Sequence, residues 1–144
     1  MVKNILSLGF WIVILFSSSV CMAQKGNSTF TLEGNWELNY ITGPKVTFNI
    51  LFPNKKPALY FDLKEKRVAG FNGCNSFSGV LKTEDKKIDF SQPFAVTKMA
   101  CTDPEGESVF MHTIQRIDSY SFSKNGKTLN LISDNSVLMR FSKI

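Results

Sequence analysis

Apolar and polar residues alternate with a period of two along most of this chain. Trp36, Leu38 and Tyr40 are interleaved with Glu37 and Asn39, and the same beat returns at Leu59-Phe61-Leu63, Tyr120-Phe122, Leu129-Leu131 and Val137-Met139-Phe141. Successive side chains of a strand point to opposite faces, so this period predicts half-buried antiparallel strands. Between two of the runs stands Lys124-Asn125-Gly126-Lys127. Asn-Gly is the favoured central pair of a tight hairpin because both positions need positive φ. Asp134-Asn135 and Lys64-Glu65-Lys66 are placed to close further hairpins.

One segment changes period. In Thr102-Asp103-Pro104-Glu105, Asp103 is suited to cap free backbone N–H groups and Pro104 to stand at the first helical position. Glu105 and Glu107 would favour the positive end of the helix dipole. Phe110, Ile114 and Ile117 follow at helical spacing, flanked by Val109 and Met111, which predicts one amphipathic helix running to about Ile117. The expected fold is mainly β with some α: a curved antiparallel sheet or open barrel of about eight strands, with one packed helix.

The N-terminus has a different composition. Lys3 is the only charge before residue 25, and the apolar run Ile5 to Phe16 is shorter than the roughly 20 residues that span a bilayer. Val20-Cys21-Met22-Ala23 puts small residues where a signal peptidase would cut after Ala23. Residues 1–23 are therefore read as an export signal and 24–31 as a short polar segment, leaving a single domain over 32–144. The competing reading makes Cys21 a lipidated residue, but Ser18 and Val20 occupy positions where a lipoprotein signal prefers Leu and a small residue. Soluble export to the periplasm or medium is the expectation.

Of 17 basic and 12 acidic residues only Lys3 falls in that leader, so the mature chain carries 16 against 12, a net charge of +4. The lysines at Lys55-Lys56, Lys64 to Arg67 and Lys86-Lys87 sit beside turns or alternate with acids. They read as solvated strand ends, and nucleic acid is not an expected partner. An anionic membrane surface stays open as a peripheral contact.

Export also frames the cysteines. Without Cys21, only Cys74 and Cys101 remain, and they read as a structural disulfide in an oxidising compartment. A redox-active pair is the alternative, but the chain lacks the Cys-x-x-Cys spacing that lowers a thiol pKa. Metal binding would need His112 as a third ligand, and His112 falls mid-helix without paired ligand spacing; no metal and no cofactor are expected. Around Cys74, Gly70, Gly73 and Gly79 suit positive φ or close approach, while Asn72 and Asn75 suit turn bonds to main chain. The alternative makes Asn72, Asn75 and Ser76 a binding loop. His112 is the only histidine, so a triad would depend on it alone, and Asp103 with Glu107 is better explained as helix N-terminal than as an acid–base pair. Asn27-Ser28-Thr29 is treated as a coincidental sequon. No enzyme is expected.

Gly34-Asn35-Trp36-Glu37-Leu38, Arg67-Val68-Ala69-Gly70-Phe71-Asn72-Gly73-Cys74-Asn75, Thr97-Lys98-Met99-Ala100-Cys101 and Glu107 before Phe110 together resemble the META, or HslJ-like, domain, over roughly Leu32 to Ser142. The resemblance implies a small envelope or secreted protein, paired cysteines, no established catalytic activity, and a link to heat shock, antibiotic tolerance or motility. Two functions are carried forward: a stress-related, monomeric module that binds an envelope protein or has a structural role, and a carrier or sensor of a lipid or other apolar molecule. The second is motivated by 13 phenylalanines in a small β-rich chain and by the likeness drawn between this fold and a lipid-binding pilot protein of secretion systems.

Overall fold

The computed structural model describes residues 29–43, 45, 47–102 and 104–144. The expected export signal, Cys21 and the expected cap at Asp103 lie outside them. Ten strands and two helices follow in order: β1 (Gly34–Ile41), α1 (Phe48–Leu51), β2 (Ala58–Asp62), β3 (Arg67–Phe71), β4 (Ser76–Val80), β5 (Lys82–Glu84), β6 (Lys87–Asp89), β7 (Ala95–Val96), α2 (Glu105–Ile114), β8 (Ser119–Ser123), β9 (Thr128–Ser133) and β10 (Ser136–Lys143). They form one antiparallel sheet in the order β5-β6-β8-β9-β10-β1-β2-β3-β4-β7, curled into a half-barrel. Two meanders, β1 to β4 and β8 to β10, join where β1 pairs with β10.

The expected count of about eight strands falls short of these ten. β5 and β6 have three residues each and β7 has two, too few to display a full alternation. The single expected helix is likewise joined by α1, one turn over Phe-Asn-Ile-Leu. The anticipated helix itself begins at Glu105 behind Pro104 and ends at Ile114. Bonds from Arg116 N to Thr113 O and from Ile117 N to Ile114 O then tighten the chain over one further turn, so Ile117 is still delivered to the core.

Two bulges edit the alternation. The β1–β10 register shifts between Leu38 and Tyr40, so Trp36, Leu38 and Ile41 face inward and Tyr40 turns outward beneath Arg140. A second shift between Val137 and Met139 brings both Leu138 and Met139 into the interior. The β8–β9 turn is left-handed at Lys124, Asn125 and Gly126; Lys127 N bonds Lys124 O across the expected Asn-Gly pair, and an overlapping turn one residue earlier is closed by Gly126 N on Ser123 O. Asp134 and Asn135, both with positive φ, make the β9–β10 hairpin in the expected place.

The concave side of the sheet is packed with rings. Trp36, Phe61, Phe90, Phe110 and Phe141 are almost entirely removed from water. Phe110 of α2 meets Phe77 of β4 with ring centroids 5.7 Å apart, and the indole of Trp36 donates to the Leu32 carbonyl at 2.7 Å. These phenylalanines belong to the hydrophobic core.

Candidate functional site

Two places in this fold gather chemistry. The first is the corner where the β3–β4 connection, the segment 97–102 and the first turn of α2 meet. Asn72, fully buried, accepts from the N–H groups of Cys74 and Asn75 at 3.1 and 2.7 Å through its side-chain oxygen. Its own N–H bonds the Asn75 carbonyl, which closes the turn. Asn75 is buried as well, and its oxygen accepts from Met99 N and Thr97 Oγ1 at 2.7 and 2.9 Å. Both amide nitrogens then donate to one acceptor, the Glu107 carboxylate, from Asn72 at 2.9 Å and from Asn75 at 3.1 Å.

The disulfide between Cys74 and Cys101 crosses this corner, with Cα atoms 6.0 Å apart. Two glycines make the approach close enough. A Cβ on Gly106 would lie 2.3 Å from the Leu51 carbonyl oxygen, so only glycine lets α2 rest on the end of α1. Gly73 has φ of +106° and lies against the Phe52 ring.

Asn72 and Asn75 thus turn their amides into the protein, where every side-chain polar atom has a partner; a loop offering those amides to a ligand would need the opposite orientation. Ser76 is exposed, and its backbone pairs with Thr97. His112 is exposed on α2 and is not among the residues that cluster with Cys74 and Cys101. Sequence reasoning assigned Glu107 to the helix dipole and missed its role as the common acceptor. A signal was present: Glu107 lies three residues before Phe110, on the buried stripe, where a carboxylate must find donors.

The second place is a cleft of about 950 Å³ at one end of the curled sheet. Leu63, Val80, Leu81, Ile88 and Ile117 form its apolar lining, with all three residues of β5 along one side. Its rim is balanced in charge: Lys66, Lys82 and Lys87 stand with Glu84, Asp89 and Asp118. The Ser91 hydroxyl and N–H hold the Asp89 carboxyl below its ordinary pKa, with a smaller contribution from Lys82 across the β5–β6 pair. Asp118 is lowered in the same direction by the Ser119 hydroxyl and then by the Asp134 N–H. Among the described residues no helix is long and apolar enough to cross a membrane.

The sequence profile of the META domain matches residues 28–143. No curated protein matches the chain. Among solved structures, a protein from Burkholderia xenovorans studied by NMR is similar at 21% identity and a TM-score of 0.63, covering 82% of this chain and 86% of that one. A DUF4847-family protein from Bacteroides vulgatus is similar at 13% identity and a TM-score of 0.50, covering 81% of this chain and 95% of that one. At these identities the likeness is one of fold.

Proposed function

The chain belongs to the META-domain family, and on that premise we propose that it is a non-catalytic, exported module that binds an extended segment of a partner protein along β5. The observation that carries this reading is a free sheet edge beside an apolar cleft. β5 ends the strand order, its three residues are exposed, and no further strand pairs with it among the described residues. Leu63 and Val80, both exposed, stand at the mouth of the adjoining cleft. A peptide adding a strand to such an edge gains main-chain hydrogen bonds and seats alternate side chains in the cleft. The balanced rim suits a peptide better than an anionic headgroup. A disulfide fits a domain carried by residues 1–23 into an oxidising compartment. The absence of chemistry is supported by the corner, whose polar groups are spent on each other, and by the exposed position of the single histidine.

A photo-crosslinking residue at Val80, in the full-length protein in its own envelope, tests this. The expected product is an adduct to an extended apolar segment of one protein. A synthetic copy of that segment should bind the purified domain and slow amide exchange at Thr83, the β5 residue whose N–H points away from β6, and Val80→Asp should abolish both effects. The carrier reading draws on the volume of the same cleft, which falls in the range of small-molecule sites. An adduct to lipid alone would favour it and overturn the peptide reading.

A further inference from the structure

We propose that reduction of the Cys74–Cys101 disulfide turns the buried corner into a binding site for a divalent cation of the zinc type, held by both cysteine sulfurs and the Glu107 carboxylate. One ligand atom from each of the three residues lies within 4.8 Å of the other two. Zinc–sulfur and zinc–oxygen bonds of about 2.3 and 2.0 Å place ligand atoms of a tetrahedral site roughly 3.5–4 Å apart, so only small side-chain adjustments are needed. Two thiolates and a carboxylate are a donor set of the right softness for zinc, and a fourth position is left for water.

The corner is built to keep these groups together after the S–S bond is gone. Asn75 holds the segment that carries Cys101 through its bonds to Thr97 and Met99, independently of the sulfurs. Asn72 and Asn75 fix the carboxylate by donating to it, the outer-shell arrangement that orients a ligating carboxylate. The Asn75 amide also lies 3.2 Å from Cys74 Sγ, where its N–H would stabilise a thiolate. Cys74 is buried while Cys101 and Glu107 are half-buried, which gives a cation a way in from their side.

The chemistry balances with a dithiol reductant. Two electrons from it break the S–S bond, each sulfur takes a proton, and the reductant leaves as its own disulfide. Binding of the cation then releases the two thiol protons to solvent.

The test uses the full chain with Cys21→Ser, so that Cys74 and Cys101 are the only thiols. The protein is reduced with a phosphine, desalted without oxygen and titrated with Co2+. The expected result is a thiolate-to-cobalt charge-transfer band that saturates at one ion per chain, disappears on adding Zn2+, and is absent from the oxidised protein. Circular dichroism on the same sample reads the fold. Glu107→Gln should weaken Co2+ binding about tenfold or more, and Asn72→Ala by a smaller factor. No band in the reduced protein, one ion per two chains, or equal affinity in Glu107→Gln would each overturn the proposal. If the reduced chain unfolds and binds cobalt only as free thiols, Glu107→Gln leaves the affinity unchanged, which is again a refutation.

Discussion

Replacing both cysteines, Cys74→Ala with Cys101→Ala, isolates the effect of the cross-link from the effect of a stray thiol. The two positions are 27 residues apart. On the chain-entropy relation, opening a loop of that length returns about 12 cal/mol/K to the unfolded chain, or about 3.5 kcal/mol at 25 °C. For a domain of about 116 residues the unfolding entropy near the midpoint is about 0.24 kcal/mol/K, so the melting temperature should fall by about 15 °C. The folded state should change little, because Asn75 still binds Thr97 and Met99 and Glu107 still receives both amides. Differential scanning calorimetry gives the shift, and amide chemical shifts of Asn75 and Met99 report whether the corner persists. A fall of less than about 5 °C with those shifts unchanged would refute the reasoning, since the cross-link would then not be restricting the unfolded chain. Collapse of the corner's shifts would refute it differently, by showing that the hydrogen bonds depend on the sulfurs.

Asn72→Asp places a second carboxyl against Glu107, so the introduced group is held above its unfolded pKa. The variant should lose about 2–4 kcal/mol at neutral pH and recover as the pH falls through the raised folded pKa, with recovery complete below about 4, where that group is protonated in the unfolded chain too; urea melts across pH check this. Gly106→Ala should destabilise by about 1–3 kcal/mol although alanine is the better helix former, because its Cβ meets the Leu51 carbonyl oxygen at 2.3 Å; a gain in stability by thermal melt would contradict the contact. The folded pKa of Asp118 lies below its unfolded value, so its contribution is present above the unfolded pKa of about 3.9 and is lost as pH falls through the folded one. Asp118→Asn should therefore be less stable than wild type at neutral pH and equal to it in strong acid, as read from stability differences across pH.

Long strands were legible because their alternation is long. β9 and the inward positions Trp36, Leu59 and Phe61 could be placed from period alone. What the period could not carry is an insertion of one residue. At Asn39 and at Leu138 a bulge changes the phase, so Tyr40 reads as core and lies outside, while Leu138 reads as surface and lies within. The edge strands and α1 escaped for a different reason. A two- or three-residue strand exists because a neighbour's backbone is already in place, and the sequence records little of that neighbour.

The candidate site was legible as a set of residues and not as a set of bonds. The cysteines, Asn72, Asn75 and Glu107 are each conspicuous, but local reasoning gave the asparagines to their own turn and Glu107 to its own helix. Tertiary packing adds a third requirement: a carboxylate on the buried side of α2 needs donors, and two buried amides with oxygens already in use have N–H groups to give. Solving these needs together fixes the start of α2 against the β3–β4 connection. A helix of 10 residues is about 15 Å long, so the position set at Glu107 is transmitted to the far end, where the turn after Ile114 brings Ile117 and Asp118 to the wall of the cleft. Corner and cleft are thus opposite ends of one rigid element. Loosening the corner should therefore widen or close the cleft, which makes peptide binding by Asn72→Ala a readout of that coupling even though Asn72 touches no part of the β5 edge.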